Sequence, residues 1–337
     1  MDRIPVFVGL DYHQKLVQVC IEDAKGQVLL NRPCDNDWLA IQTLSETQGR
    51  VVRAGIEACC GAADLAEELA EKTDWNVDLA HPGYVARMKQ NPDKHDWGDA
   101  RMLADLERVG YLPQVWLAPA YIRELRRLVR YRQQLVDERK TTKLRMGALL
   151  RDHRIRNVSA GRWTRAWLRW LRDCQELPAM SRWIMDRQLD RIQEIEEALK
   201  LVAKRIDAFT ENDPVVQRLL ELPGVGYVTA WYLRAEIGRF ERFQTGKQLS
   251  RFCGLTPRNA SSGQRQADAG LIKAGNPQLR AVLIQAAHRL INNDPRWNAF
   301  GERLKLSGKS HNVIVAAVAN RWIRWLFHQM VSHPSAA

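Results

Sequence analysis

The sequence lacks the features of a secreted or membrane-embedded chain. Its six cysteines form no CxxC pair, so we interpret them as reduced, mostly buried thiols and not as disulfides or a zinc site. No apolar run reaches the roughly 18 residues that a membrane span requires. The first residues also lack the apolar segment and small-residue cleavage site of a signal peptide. We therefore expect a cytoplasmic protein without a membrane partner.

Acidic residues are scarce relative to basic ones. The 337-residue chain carries 51 Lys and Arg against 39 Asp and Glu, a net charge of +12. The excess is concentrated in residues 121–170, where 15 basic residues stand with four acids. A local excess of this size favours a polyanionic partner such as nucleic acid. Hydrophobic residues make up 45% of the chain, which argues against wholesale disorder, and the length indicates two or three domains.

The N-terminal 80 residues alternate between β-rich and helical patterns. Three β-rich segments joined by turn signals indicate an antiparallel meander, and two more alternate with helices. This order predicts a mixed sheet flanked by helices, an α/β fold. The predicted strands lie at 6–10, 15–22, 27–30, 51–56 and 75–79, and the predicted helices lie at 36–47 and 61–72.

Four acids stand where such a sheet would collect them. Asp11 and Glu57 end predicted strands, and Asp96 and Asp99 share one face of a later helix. Four converging carboxylates repel one another unless cations bind among them, and an all-oxygen site suits Mg²⁺ or Mn²⁺. The alternative for any single acid is a turn or cap residue, and Asp96 could cap its helix.

Residues 119–153 form a long basic helix by pattern. Its arginines include Arg126, Arg127 and Arg130, which are candidate contacts to nucleic-acid phosphates.

A second long helix follows at 183–210. Its apolar residues repeat with a heptad rhythm, which predicts an antiparallel coiled-coil hairpin or a dimer seam.

Between these helices, three tryptophans alternate with arginines. Trp163, Trp167 and Trp170 fall on one helix face. This spacing favours core packing over the stacking of nucleic-acid bases.

A helix-hairpin-helix pattern follows at 219–233, L-L-E-L-P-G-V-G-Y-V-T-A-W-Y-L. Gly224 and Gly226 allow close backbone approach, and the amides that begin the second helix can bind a phosphate oxygen. The alternative is a purely structural turn between two helices.

A polar segment at 251–267 carries glycine, serine and basic residues. Arg258, Arg265 and the nearby Lys273 are candidate phosphate contacts. Ser261 or Ser262 could act as a nucleophile, and the residues alone do not choose between them. The last stretch of the chain is helical by pattern.

Seven segments resemble motifs of one known family. They are V-G-L-D at 8–11, G-I-E-A at 55–58, D-W-G-D-A-R-M-L-A at 96–104, L-P-G-V-G at 222–226, F-C-G-L-T-P-R at 252–258, S-G at 262–263 and K-A-G-N-P-Q-L-R at 273–280. In this order they resemble the DEDD transposases of bacterial insertion sequences, relatives of the pilin-gene invertase. The resemblance covers nearly the whole chain.

The resemblance implies three domains. Residues 1–118 would be a RuvC-like catalytic domain of the RNase H fold, and residues 119–213 a basic helical and coiled-coil region. Residues 214–337 would be a C-terminal, helical transposase domain with the helix-hairpin-helix and the serine loop.

The resemblance also implies the chemistry. Asp11, Glu57, Asp96 and Asp99 would be the metal-binding acidic tetrad, and Ser262, chosen because Gly263 follows it, would be the nucleophile. The expected partners are donor and target DNA, a guiding bridge RNA from the element's end, and further copies of the chain in a homodimer or tetramer. Because its expected substrate is DNA, the protein is expected to associate with the bacterial nucleoid. The sequence leaves open whether the serine meets the acids of its own chain or of a partner.

Two other functions compete with this interpretation. A RuvC-like nuclease selective for branched DNA would need the acids but not Ser262. A non-catalytic DNA-binding protein would need only the helix-hairpin-helix and the basic helix.

Overall fold

The computed structural model describes residues 3–88, 95–156, 161–259, 268–272 and 274–332. The chain divides into two compact units, Met1–Ala120 and Tyr121–Ala337. Among the described helices, none has the length and apolarity needed to cross a lipid bilayer.

The N-terminal unit contains six strands and four helices. The strands are β1 (Pro5–Tyr12), β2 (Leu16–Asp23), β3 (Val28–Asp35), β4 (Arg50–Glu57), β5 (Asn76–Ala80) and β6 (Gln114–Val115). The helices are α1 (Trp38–Glu46), α2 (Ala62–Lys72), α3 (Pro82–Met88) and α4 (Asp96–Arg108). The predicted order of strands and helices is confirmed. The short β6 was not predicted, because two residues are too few to form a recognisable sequence pattern.

These strands form one mixed sheet in the order β3-β2-β1-β4-β5-β6. The first three strands are antiparallel to one another, whereas β1, β4 and β5 run parallel. The predicted mixed sheet flanked by helices is therefore confirmed. It is consistent with a fold of the RNase H type.

Alternating side chains give the sheet two different faces. Val6, Val8 and Leu10 of β1 are completely buried in one apolar cluster with Ile41 of α1 and Leu69 of α2. The residues between them face the opposite side, where α4 packs. Apolar residues thus hold α1 and α2 to one face and leave the other face to α4.

The C-terminal unit is mostly helical. Its helices are α5 (Ala120–Asp152), α6 (Arg165–Asp173), α7 (Ala179–Thr210), α8 (Pro214–Leu220), α9 (Tyr227–Ile237), α10 (Gly246–Phe252), α11 (Pro277–Asn293), α12 (Pro295–Leu306) and α13 (His311–Ser332), with a 3-10 turn at Phe240–Arg242. A two-stranded antiparallel hairpin joins β7 (Pro257–Asn259) to β8 (Asp268–Leu271). The sequence had indicated only a polar loop there.

Two apolar clusters organise this unit. In the larger one, Trp322 of α13 is completely buried and its indole Nε1 donates a hydrogen bond to the Pro223 carbonyl at 3.1 Å. The heptad residues Ile195, Val202 and Ile206 of α7 also belong to it. Their burial favours packing within the chain over a seam between protomers, and a coiled coil stays a prediction.

The smaller cluster contains the tryptophans between α5 and α7. Trp167 is 2% exposed and packs with Met146 and Met185. The rings of Trp163 and Trp170 lie 4.7 and 5.8 Å from the Trp167 ring. Core packing is confirmed for Trp167, whereas Trp163 and Trp170 are partly buried against the cluster. Trp163 also precedes α6, so the predicted helix face does not include it.

Candidate active site

Two of the predicted site residues are placed by strand geometry. β1 and β4 are parallel, with Leu10 paired to Ile56. Asp11 and Glu57 follow these two residues directly, near the carboxyl ends of adjacent strands. Leu10 and Ile56 both face the apolar cluster under α1 and α2. Because successive side chains point to opposite faces, Asp11 and Glu57 both point to the α4 face.

The other two acids are placed by α4. Asp96 is the first residue of this helix and Asp99 lies in the same first turn. His95 is the N-cap residue, so Asp96 does not occupy the capping position considered for it. The Asp96 side chain is half-exposed, whereas Asp99 is only 9% exposed.

Small residues let α4 lie directly against β1. A Cβ atom built on Gly9 would lie 1.9 Å from the Ala100 carbonyl oxygen and 2.4 Å from the Ala104 amide nitrogen. Ala100 and Ala104 are completely buried beside Cys20, the residue paired with Gly9 in β2. Only glycine at position 9 permits this approach, which brings the first turn of α4 to the end of β1.

Asp96 lies close to Asp11, and the charges of Asp99 and Glu57 also act on the Asp11 carboxyl. Burial raises the pKa of the Asp11 carboxyl, the neighbouring His13 opposes this shift, and the charges of Asp96, Asp99 and Glu57 raise the pKa further. Asp11 Oδ2 is buried, and among the described residues nothing donates a hydrogen bond to it. A crowded carboxylate with an unsatisfied oxygen fits a site that binds a cation.

His13 is a member of the site that the sequence interpretation missed. Its Nε2 lies 3.5 Å from Asp11 Oδ2 and 3.3 Å from Asp96 Oδ2. Ligand atoms of these three residues all lie within 4.8 Å of one another, and imidazole and carboxylate are both ligands of divalent transition metals. The signal available in the sequence was a histidine two residues after a strand-terminal aspartate.

Buried charges lie behind the site, between α4 and the sheet. Glu107 is 1% exposed, and its Oε2 lies 2.9 Å from Arg53 Nε. Arg53 also pairs with Asp78. Burial, reinforced by the charge of Asp78, raises the pKa of Glu107 to about 7 despite Arg53. On the neighbouring strand, buried Glu22 lies 3.5 Å from Arg101 of α4.

A cleft of about 720 Å³ adjoins Asp99. Trp97 lies at its edge with an exposed indole, and the Arg101 guanidinium stands over that ring. Lys25 and Arg108 add positive charge to the lining. The site therefore opens onto a surface that carries both an aromatic ring and basic side chains.

The arginines predicted to contact phosphates on α5 have partners inside the protein. Arg130 donates two hydrogen bonds to buried Glu236, at 3.0 and 3.1 Å. Arg126 donates to the Ala235 carbonyl at 2.8 Å. Arg127 pairs with Glu124 on the same helix. A role of Arg126, Arg127 and Arg130 in nucleic-acid binding stays a prediction.

The two hairpin glycines differ in their surroundings. Gly224 has a φ of +83°, and a Cβ there would meet Leu290 at 2.6 Å, so this turn requires glycine. Gly226 is the N-cap of α9, and a Cβ there would meet no atom within 4 Å. A side chain would therefore fit at position 226, and phosphate binding by the turn stays a prediction.

The predicted serine loop lies largely outside the described residues. Ser261, Ser262, Arg265 and Lys273 all belong to that part of the chain. Arg258 is described and is exposed on β7.

Comparisons with known families agree with this architecture. Residues 8–155 match the DEDD transposases of the IS110 group. Residues 216–302 match the family described as "Transposase IS116/IS110/IS902 family". The first match contains all four acids, and the second contains the hairpin glycines and the serine loop.

Individual relatives extend the similarity along the chain. A probable family 20 transposase of Pseudomonas aeruginosa is 28% identical over 81% of this chain and 82% of its own length. The transposase for insertion sequence element IS1111A of Coxiella burnetii is 25% identical, over 85% and 78% respectively. The transposase for element IS1328 of Yersinia enterocolitica is 24% identical over 94% of both chains.

The mixed sheet and its acidic edge are those expected of an RNase H-like enzyme that acts on nucleic-acid strands. The chain belongs to the IS110 family of DEDD transposases. It is an insertion-sequence transposase, an enzyme that catalyses DNA strand transfer. Divalent metal ions are the normal cofactors of this family, and the cluster around Asp11 offers suitable ligands.

Proposed function

We propose that Asp11, Glu57, Asp96 and Asp99 hold Mg²⁺, or Mn²⁺ in its place, at the scissile DNA phosphodiester. The observation that carries this proposal is the cluster at Asp11, whose ligand atoms lie within 4.8 Å of those of His13 and Asp96. Burial raises the pKa of the Asp11 carboxyl, and the charges of Asp96, Asp99 and Glu57 add to this effect while His13 opposes it. A bound divalent ion neutralises that repulsion, polarises the phosphate and stabilises the leaving oxygen. The buried, unsatisfied Asp11 Oδ2 supports the assignment.

The chain's own residues have separate tasks in this site. The sheet fixes Asp11 and Glu57, and the close contact of α4 with Gly9 fixes Asp96 and Asp99 relative to them. His13, between Asp11 and Asp96, supplies either a further ligand or a positive charge when it is protonated. Fixing ligands on rigid elements keeps the reacting groups aligned.

Metal-dependent stabilisation tests the acidic site without relying on activity. Asp99→Asn removes a proposed ligand, and Asp105→Asn is its control on the same helix, because Asp105 is half-exposed and pairs with Arg108. Mg²⁺ or Mn²⁺ should raise the melting temperature of the native protein and of the control but not that of Asp99→Asn. Equal stabilisation of all three proteins would exclude Asp99 as a ligand.

We also propose that Ser262 is the nucleophile. Its Oγ would form an ester bond to phosphorus while the bond from phosphorus to the leaving sugar oxygen breaks, and that oxygen takes up a proton. Rejoining reverses these steps with the hydroxyl of another DNA end, so the energy of the phosphodiester is conserved. The support is the serine–glycine motif within the matched transposase segment.

The neighbouring serine provides a matched control. Ser262→Ala should abolish a covalent complex between the protein and labelled DNA, and Ser261→Ala should retain it. Because a hydrolytic, RuvC-like nuclease forms no such complex, the same gel distinguishes that function from strand transfer. A complex that survives Ser262→Ala and disappears in Ser261→Ala would assign the nucleophile to Ser261 instead.

The basic residues around the serine would position the DNA backbone. Arg258, Arg265 and Lys273 would supply positive charge there, and Gly224 and Gly226 would let a phosphate oxygen approach the first amides of α9. In this proposal residues 1–118 form the catalytic domain, 119–213 the basic helical region and 214–337 the transposase domain. Charge-neutralising variants of the three cations should weaken DNA binding and flatten its salt dependence.

Guidance by a bridge RNA and assembly into a homodimer or tetramer complete the proposal. Both derive from the family resemblance, and the positive charge of residues 121–170 suits the backbone of either RNA or DNA. If an RNA guides the enzyme, purified protein should cleave its target only when RNA encoded beside the gene is added. Light scattering of the purified chain, with and without that RNA, measures the number of protomers.

A further inference from the structure

A groove on α5 contains part of the positive charge of residues 121–170, for which the function described above names no binding site. It has a volume of about 360 Å³, and none of the residues that line it is acidic. Five of the lining residues are basic and one is aromatic: Arg139, Lys140, Lys143, Arg151, Arg162 and Trp163. The groove is distinct from Arg126 and Arg130, which are paired with groups inside the protein.

The five cations lie close together. A Cβ built on Gly147 would lie 3.5 Å from Arg151 Nη1 and 3.8 Å from Arg162 Nη2, so two guanidinium groups converge over one point of α5. Burial and the charge of Arg139 lower the pKa of Lys143, although Glu196 opposes them. Among the described residues, none of the five cations is ion-paired with a carboxylate. Converging like charges favour a bound anion.

Trp163 forms a preorganised wall of the groove. Its φ of +68° is a left-handed conformation that bulky residues rarely adopt. The Lys143 ammonium stands 5.0 Å from the centre of its ring, and the ring also packs against Trp167. Because these contacts already occupy the indole, the groove suits a phosphate backbone and not a stacked base.

The dimensions of the groove limit its ligand. Arg139, Lys143, Gly147 and Arg151 recur every four residues on adjacent helical turns, and at 1.5 Å per residue they span about 18 Å. A volume of about 360 Å³ holds roughly a dozen water molecules at about 30 Å³ each. A sugar–phosphate unit contains a similar number of heavy atoms, so the groove matches the edge of one strand.

We propose that this groove binds the sugar–phosphate backbone of a single DNA strand. The anion must be extended, because the cations follow the helix for several turns. We assign the bound backbone to DNA because this enzyme transfers DNA strands. A strand that has been cut must be held while it separates from its partner strand. RNA has the same backbone charge, so an experiment has to distinguish the two.

Salt-dependent binding tests the backbone contacts. The groove variant is Arg139→Gln/Lys143→Gln/Arg151→Gln. Its control, Lys200→Gln/Lys204→Gln/Arg205→Gln, removes the same charge from exposed positions of α7. The measurement is fluorescence anisotropy of a labelled single-stranded DNA 20-mer, after melting curves confirm that both variants are folded.

The expected change is large. Each lost phosphate contact lowers the slope of log K against log salt by about 0.7, so three contacts lower it by about 2. If the binding curves converge near 1 M salt, this slope corresponds to about 100-fold weaker binding at 0.1 M. The control should keep the slope of the native protein. An unchanged slope in the groove variant, or an equal loss in the control, would overturn the proposal.

Crosslinking determines whether the strand bound in the groove is DNA or RNA. Leu144 lines the groove and is 61% exposed, whereas Leu201 on α7 is 69% exposed and lies outside it. A photoreactive amino acid replaces either residue, and the protein is irradiated with equal amounts of a DNA 20-mer and an RNA of the same sequence. We expect a DNA adduct from position 144 and little from position 201. An RNA adduct at position 144 equal to or stronger than the DNA adduct, or no adduct at all, would refute the assignment.

Discussion

A single methyl group at position 9 tests how closely α4 must approach β1. A Cβ on Gly9 would lie 1.9 Å from the Ala100 carbonyl oxygen, whereas Cβ contacts below 3.0 Å are essentially never observed. The obstructing atoms are backbone atoms, so no side chain can rotate out of the way. In Gly9→Ala, α4 must therefore move away from β1 by about 1 Å.

Both stability and activity should respond to this displacement. Overpacking of this kind costs about 1–3 kcal/mol, which lowers the melting temperature by about 4 °C per kcal/mol in a unit of this size. Asp99 moves with α4 while Asp11 stays on β1. A misplacement of about 1 Å in a catalytic group reduces the rate on the order of 100-fold. The variant should thus lose strand transfer before it loses its fold.

Calorimetry and a strand-transfer assay measure the two effects. The control is Gly98→Ala, at a glycine of α4 itself, where the nearest atom to a new Cβ is His95 Cβ at 4.0 Å. This substitution should stabilise the helix by up to about 1 kcal/mol, since alanine is the better helix former. If Gly9→Ala melts at the temperature of the native protein and keeps its activity, the close contact does not position the acids.

Three further perturbations test the buried charges. The folded-state pKa of Glu107 is raised to about 7, so the stability that the protonated side chain contributes is lost as pH rises from about 4.5 to 7. Glu107→Gln should remove about 3 kcal/mol of this pH dependence. Denaturant unfolding at several pH values measures the difference. Glu236→Ala removes the acceptor of two hydrogen bonds from Arg130, whose half-exposed side chain can be solvated instead, so the protein should lose about 1–3 kcal/mol of stability. Full stability would show that the pair contributes nothing. Asp213→Ala removes the N-cap of α8 and the partner of Arg234, so it should destabilise the protein by at least about 3 kcal/mol. A loss below about 1 kcal/mol in urea unfolding would contradict this structural role.

The sequence was sufficient to predict the acidic edge of the sheet. Period-two alternation along β1 and β4, together with their parallel order, is a local pattern that places Asp11 and Glu57 on one face. The spacing of Asp96 and Asp99 places both in one helical turn. How close they come to Asp11 depends on how α4 packs, which the pattern of strands and helices suggested but could not fix.

Long-range partners could not be predicted in the same way. The basic composition of α5 indicated phosphate contacts at Arg126 and Arg130, yet both side chains contact residues about 100 positions later in the chain. Charge counting detects an excess of arginine but not which arginines are buried. The cations of the groove, by contrast, belong to the same basic segment and have no ion-pair partners among the described residues.

The α4 side of the sheet explains how one helix can be held both closely and in a single register. Gly9 and Gly55 remove the side chains that would keep α4 at a distance, but they provide little apolar surface. Arg53 and Glu107 then act as a specific pair across the interface. A slip of α4 by one turn, about 5.4 Å, would separate them and leave buried charges unpaired, at a cost of several kcal/mol. The same slip would carry Asp99 away from Asp11, so the register that satisfies the buried pair is also the register that assembles the acids.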